Sequence, residues 1–389
     1  MSGAALKRVA AATRPKRITI LFPGAGRKRR LLETEAGESP REFFYGAREL
    51  AARGITLHYA DTRQDPDTLL ANACLWAERA RNRMSGFGLS RQRVAALKSE
   101  IDHAGLAISF TDGFSLSLGR HRELLGGGTV LAGGFHGLSD MPDEVAPFFR
   151  SWARAQIHKA VLGLDHLFFF GEADRKEAIR RFAIPEKKTS LFLFGVDTDF
   201  WCPGGAKPAD YILSVGSDPK RDYATLLSAP VSAPLRIITR LNLKVPQGRT
   251  DVEIIRGSYH NVAVTDTVLR DLYREAAIVA VPVRDVFQPS GYSVTLQAMA
   301  CGKPVVLSRI KGLWDPEVFI SGENCVLVEP ENPRAMGDAI AHLRADPTLR
   351  NKIGEAARAT AVRSFALQRM NDSLAALVER CRRLRNVGA

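Results

Sequence analysis

In FQPSGYSVTLQAMACGKPVVLS, residues 287–308, a Pro/Ser/Gly loop runs into a helical stretch from about Ser293, Gly302 stops it, and Pro304 opens a new strand. An apolar run just before it, Ile278–Pro282, reads as the preceding strand, so the unit is strand, loop, helix, strand. Ser290, Gly291 and Ser293 fall where the unpaired N–H groups of a helix N-terminus face an anion, with Tyr292 among them. Gly291 permits close backbone approach, and the helix dipole favours a phosphate. Gln297 lies one turn further on, placed to hydrogen-bond a pair of sugar hydroxyls. Many strand–loop–helix units bind nothing, so this pattern alone does not establish a site.

Outward from this unit the same alternation continues. Further strand signals are Ile18–Phe22, Ile55–Tyr59, Leu106–Phe110, Thr129–Ala132 and His166–Phe170, then Tyr211–Val215, Leu235–Thr239, Val252–Ile255, Pro304–Leu307 and Cys325–Val328. Helical candidates between them include Glu42–Arg53, Arg91–His103, Glu144–Leu162, Thr267–Ala276, Ser293–Ala300 and Pro333–Leu343. Such alternation predicts an α/β class with parallel sheets and crossovers. The run WCPGGAKPAD from Trp201 holds two Pro and two Gly and reads as a hinge. The expected divisions are a basic leader at 1–16, an N-terminal acceptor-binding domain at 17–203, a C-terminal donor-binding domain at 204–365, and a last helix at 366–389 crossing back to the first domain. Two such domains place a cleft between the carboxyl edges of their sheets.

The second half of the chain resembles the retaining GT-B glycosyltransferases of the family-four type, the glycosyl transferases group 1. Their donor motif reads Glu, seven residues, Glu-Ala-Met-Ala-x-Gly-x-Pro-Val-Val, against which QAMACGKPVV stands here. FGVDTDFWCP (194–203) is similar to the family's inter-domain Gly-Val-Asp motif. YILSVGSDPKRDYATLL (211–227) is similar to its first C-domain strand and basic loop, and VLRDLYREAAIVAVPV (268–283) to the helix and strand before the donor loop. The resemblance implies two Rossmann-like domains with parallel sheets facing an inter-domain cleft. It also implies sugar transfer from a nucleoside diphosphate sugar to a hydroxyl acceptor, with retention and without a metal. Uridine is the expected nucleotide and guanosine the second choice, with the nucleotide sugar as co-substrate and no further cofactor.

The departures are specific. Gln297 replaces the Glu that holds the donor ribose in relatives, and the first Glu has no clean counterpart; Gln288 is nearest, one residue out of register. Ser217 stands where the basic loop carries Arg, leaving Lys220 or Arg221 as the loop's cation beside Gly216. Lys220, Arg221 and the helix start would offset the charge of the leaving diphosphate. His136, in GGFHGLSD after the strand Thr129–Ala132, matches a His near the donor sugar, and Asp112 in SFTDGFS has the same strand-end setting. Asp197-Thr198-Asp199 spells Asp-x-Asp inside the Gly-Val-Asp landmark, where short acids turn the chain, and is read as structural.

The loop FPGAGRKRR (22–30) puts Gly24, Gly26 and Arg27 after the first strand, where an anionic acceptor or phosphate could meet them; it has no third glycine, which argues against a dinucleotide. At 389 residues and a net charge of +13, the chain suits two domains and an anionic partner. Nine basic residues and no acid lie between Lys7 and Arg30. A glycan or lipid-linked acceptor, or an anionic membrane surface, fits this charge; no recognition-helix, zinc-finger or RNP pattern supports nucleic acid. Five scattered cysteines without a CxxC pair point to a reducing compartment, so the expected location is the cytoplasm, or the inner face of the membrane. APFFRSWARAQIHKAVLGL (146–164) reads as a helix packed on the first sheet, with a membrane surface as the alternative. Two rivals remain: a catalytically silent GT-B-like binding or scaffold protein, suggested by the missing glutamates, and a nucleotide-sugar epimerase, which would need paired carboxylates that are not apparent.

Overall fold

The computed structural model describes residues 17–22, 27–63, 65–205, 209–256 and 264–387. The basic leader, Gly24 and Gly26 lie outside these residues, as does the side chain of Arg27. Among the described residues, twelve strands form two parallel six-stranded sheets. The first holds β1 (Ile18–Phe22), β2 (Leu57–Asp61), β3 (Leu106–Ser109), β4 (Val130–Phe135), β5 (His166–Phe169) and β6 (Thr189–Leu191), in the order β2-β1-β3-β4-β5-β6. The second holds β7 (Ile212–Val215), β8 (Leu235–Thr239), β9 (Val252–Arg256), β10 (Ile278–Val281), β11 (Val305–Ser308) and β12 (Val326–Val328), in the order β12-β11-β10-β7-β8-β9.

The inner strands of both sheets are buried on two faces, which is why they read as continuous apolar runs. Ile18, Ile20 and Phe22 of β1 pack in one core layer and Leu21 in the other. In β10 and β11 every residue is buried. The strand order reverses between β1 and β3 in the first sheet and between β7 and β10 in the second. Open α/β sheets bind ligands beyond the carboxyl ends of the strands at such points.

The chain crosses between domains twice. Val196 pairs in parallel with Ala366, and the Val196 N–H donates to the Phe365 carbonyl at 2.9 Å. From Val196 onward the chain belongs to the second core: Trp201 is fully buried there with Phe200 and Tyr273. The Pro/Gly run therefore begins after the crossing rather than forming it. After the second crossing, the helix Leu367–Val387 lays Met370, Leu374, Leu377 and Cys381 onto the core of the first sheet.

Three expected helices are interrupted. Arg91–His103 becomes the helices Arg91–Ala96 and Lys98–Asp102, broken at Leu97, which leaves helical geometry (φ −96°, ψ 5°). Glu42–Arg53 becomes a 3-10 turn (Arg41–Phe44) and the helix Ala47–Ala52, because Tyr45 and Gly46 take positive φ, 50° and 82°. A Cβ on Gly46 would lie 3.0 Å from the Asn371 backbone of the last helix. Glu144–Leu162 becomes helices Met141–Glu144 and Arg150–Gly163, separated by the 3-10 turn that starts at Pro147.

Candidate functional site

Beyond the carboxyl ends of β7 and β10 lies a cavity of about 290 Å³, near the small end of the range for small-molecule sites. Its lining combines Gly216, Ser217, Asp218 and Arg221 from the loop after β7, residues 288–294 from the loop after β10, and His136 from the first domain.

Arg221 forms the floor. Its side chain is 4% exposed, and one Nη2 hydrogen bond goes to the Val215 carbonyl at 2.7 Å. Nε and Nη1 are buried without a hydrogen-bond partner. Two glycines let backbone come against this guanidinium. A Cβ on Gly216 (φ +149°) would stand 2.4 Å from Nε, and one on Gly291 (φ +87°) would stand 3.4 Å from Nη1 and 2.8 Å from Val281. A buried cation with two unmet donors costs free energy unless an anion completes it.

The helix Tyr292–Ala300 begins at Gly291 with no side-chain cap. Its first N–H groups have no acceptor within the helix and open on the cavity beside Ser293 and Val294. Donors and dipole therefore converge with Arg221 on one anion-sized space. Asp218 holds the two loops together: Oδ2 accepts from Ser290 Oγ at 2.7 Å and from Gln288 Nε2 at 2.9 Å, while Oδ1 accepts the Lys220 N–H at 2.9 Å.

The first domain supplies a dyad. Asp112 accepts the backbone N–H of His136 at 2.8 Å and of Gly137 at 3.2 Å on Oδ1, and its Oδ2 lies 3.1 Å from His136 Nδ1. The His136 ring stacks on Phe170 at 4.1 Å. Burial pushes the Asp112 carboxyl up, but the hydrogen bonds and charge of His136 outweigh it and hold the group below its ordinary value. With Nδ1 turned to the Asp112 carboxylate, Nε2 is the ring nitrogen left for another partner.

Three expected residues sit differently from the pattern implied by the resemblance. Gln288 lines the cavity but also closes the cleft: its N–H donates to Asp140 at 2.8 Å, and its side chain rests on Gly137. Lys220 is outside the lining and pairs with Glu144 of the first domain. Gln297 is buried and turned away from the cavity, donating from Nε2 to Glu42 at 3.2 Å and lying 3.5 Å from the Tyr273 hydroxyl. The helix face that carries Gln297 packs on the first domain at Glu42. Asp197 and Asp199 are both held by Arg41, the first bidentately with Nε and Nη2 contacts of 2.6 Å, so neither carboxylate is turned to the cavity. Among the described residues no group of three His, Cys, Asp or Glu is arranged to hold a metal ion.

Glu42, Asp140, Glu144 and Asp218 were not singled out by the sequence. Each acts on a partner far along the chain, and no local spacing marks such a pair. Glu42 is 2% exposed, accepting from Trp201 Nε1 at 2.6 Å and from the Asp197 N–H at 3.1 Å. Burial raises its pKa from 4.5 to about 7 against these hydrogen bonds. The native state thus keeps this proton between about pH 4.5 and 7 while the unfolded chain has lost it. The stability that follows is full below that window and declines as pH rises through it, by about 3 kcal/mol. Glu42→Gln should flatten part of the decline in denaturant-unfolding stability between pH 5 and 8; an unchanged slope contradicts this. Asp174, also raised to about 7 by burial, retains the remainder.

Gln297→Glu should place a second carboxylate against Glu42 in the same buried space. Unfolding at pH 8.5 is expected to be easier than at pH 6 by about 2–4 kcal/mol more than in the wild type. Equal pH dependence of the two proteins would show that the position opens to solvent.

A second cavity of about 290 Å³ lies beyond β3 in the first domain, lined by Thr62, Asn82, Ser90, Arg93, Thr111 and Ser117 among others. Arg93 Nε is buried there without a hydrogen-bond partner.

A sequence profile described as Glycosyl transferases group 1 matches residues 231–346. Among curated proteins, the D-inositol 3-phosphate glycosyltransferase of Corynebacterium glutamicum is 41% identical over 84 residues, 22% of this chain and 19% of that protein. D-inositol 3-phosphate glycosyltransferase 2 of Catenulispora acidiphila is 28% identical over 246 residues, 55% of each chain. The chain thus spans from about a fifth to about half the length of these relatives. Sucrose-phosphate synthase from Thermosynechococcus elongatus superposes with a TM-score of 0.68 at 17% identity, covering 94% of this chain and 98% of that one. The Anabaena protein HepE in complex with UDP-glucose superposes at 0.64 and 13% identity, covering 94% and 99%. Two Rossmann-like domains give this chain the GT-B fold, and its residues 231–346 match the glycosyl transferases group 1 family.

Proposed function

We propose that the protein transfers a hexose-type sugar from a nucleoside diphosphate sugar to a hydroxyl acceptor with retention, its own cations taking the role a metal plays elsewhere. The observation that carries this reading is the Arg221 guanidinium, buried with two unmet donors beneath an uncapped helix N-terminus. Breaking the sugar–phosphate bond leaves negative charge on the diphosphate, and preorganised donors aimed at that charge favour the transition state. Arg221 and the N–H groups at Gly291–Val294 would hold the phosphates. Ser217, Ser290 and Ser293 offer hydroxyls at the same rim, and His136 Nε2 would accept a hydrogen bond from the transferring sugar. Lys220 sits close enough in sequence to add charge if the Glu144 pair opens.

Uridine is the preferred nucleotide, supported by the likeness in fold to a protein solved with UDP-glucose, and guanosine is the second choice. The acceptor is a glycan or a lipid-linked or cell-envelope molecule, with the second cavity and Arg93 suited to an anionic group on it. All five cysteines are free, in keeping with work in the cytoplasm.

Incubation with a panel of UDP- and GDP-sugars, with and without chelator, tests the reading. Release of nucleotide from at least one donor, undiminished by chelator, is the expected result, and transfer to an added acceptor should keep the anomeric configuration. Binding without any release would replace the transferase by a nucleotide-sugar-binding protein.

A further inference from the structure

We propose that the helix Leu69–Ser85, together with the tip at Phe148, seats the first domain on an anionic lipid bilayer. Leu69 is 92% exposed, Leu70 77%, Trp76 68% and Met84 68%. At 100° per residue these four side chains occupy one side of the helix, whereas Leu75 and Ser85 are buried on the other. The helix thus turns apolar residues outward, the reverse of ordinary packing on a core. Phe148, 91% exposed, continues the surface: the Ala146 N–H donates to the Ser85 carbonyl at 3.2 Å, which sets the tip against the helix end that carries Met84. Phe149 and Trp152 from the same stretch turn inward instead and join the core.

Charge selects the occupant. The helix has three arginines and one acid, Glu78, which faces inward to Ser90 Oγ at 2.6 Å and to the Arg91 N–H at 3.1 Å. Arg83 is exposed beside the apolar face, and Arg150 is exposed beside Phe148. Arg79 lies over the Trp76 ring at 5.5 Å and is paired with Asp65 at 2.7 Å, so the positive border rests on Arg83 and Arg150. A Trp/Leu/Met face bordered by arginines is suited to the headgroup boundary of an anionic leaflet. A second copy of the chain would bring like charges together across a two-fold contact. No helix among the described residues is long and apolar enough to cross a membrane, so contact is shallow. Docking stands apart from sugar transfer; only the choice of a lipid-linked acceptor rests on the transferase reading.

The test is co-sedimentation of the full chain with phosphatidylcholine vesicles, with and without phosphatidylglycerol, alongside the double variant Leu70→Asp/Trp76→Asp. Both sites are exposed, and far-UV circular dichroism checks that the variant folds. Wild-type protein should partition onto the anionic vesicles with a blue shift of Trp emission, since Trp201 and Trp314 are already buried. The variant should bind at least about tenfold more weakly. Equal partition of variant and wild type overturns the inference. So does failure of the wild type to bind anionic vesicles, or its self-association through this face, lost in the variant. Docking without nucleotide release in any donor assay leaves the membrane surface standing and removes the transferase.

Discussion

Arg221→Met is expected to lower turnover of the preferred nucleotide sugar by about 100- to 1000-fold, the range seen when one preorganised donor to a developing oxyanion is removed. The proposed chemistry places negative charge on the diphosphate at the moment of bond cleavage, and Arg221 is the buried cation beneath the cavity that would hold it. Folding should not suffer in parallel. The substitution removes one hydrogen bond, Nη2 to the Val215 carbonyl, worth about 1 kcal/mol. It also relieves the burial of a charge whose Nε and Nη1 have no partner. Tm should therefore stay near the wild-type value while turnover collapses. Arg221→Lys should recover only a fraction, because one ammonium does not reproduce the fork between Gly216 and Gly291. Turnover within threefold of wild type for the methionine variant would remove Arg221 from the mechanism.

The second large effect is expected at the dyad. His136→Ala should reduce kcat by about 100-fold or more, with a smaller change in donor affinity, since its proposed contact is with the transferring sugar and not the nucleotide. Asp112→Asn separates orientation from presence. An amide can still accept the N–H groups of His136 and Gly137 through Oδ1, but its NH2 would meet His136 Nδ1 as a donor and favour the other tautomer. A loss of about 10- to 100-fold with an unchanged circular dichroism spectrum is the expected result. Full activity in Asp112→Asn would mean that the tautomer of His136 is irrelevant to turnover.

The second domain was legible because its signals are local. Strand β10, the Gly291 loop, the helix after it and β11 are consecutive, and their burial on both faces leaves an unbroken apolar reading. The same is true of Gly216 and Arg221, six residues or fewer from the end of β7. Gln297 shows where such reading stops. Its place on the helix follows from spacing, but its direction depends on Glu42, 255 positions away on the other domain. Lys220 and Glu144 are the same case, since either residue alone reads as an ordinary surface charge. The helix Leu69–Ser85 escaped because its apolar side faces outward, so its pattern does not mark a core. Strand β6, three residues long with an exposed end, is too short for any periodicity to mark.

The central claim is that the space between Arg221 and the Gly291 helix start holds the diphosphate of a nucleotide sugar. A crystal structure of the protein with UDP tests it most directly. The expected result is a diphosphate within hydrogen-bond reach of Arg221 Nε or Nη1 and of the backbone N–H groups at Gly291–Val294, with Gln297 still on Glu42. Phosphates bound instead at the Arg93 cavity of the first domain, or a nucleotide absent from the β7–β10 cavity at saturating UDP, would contradict it.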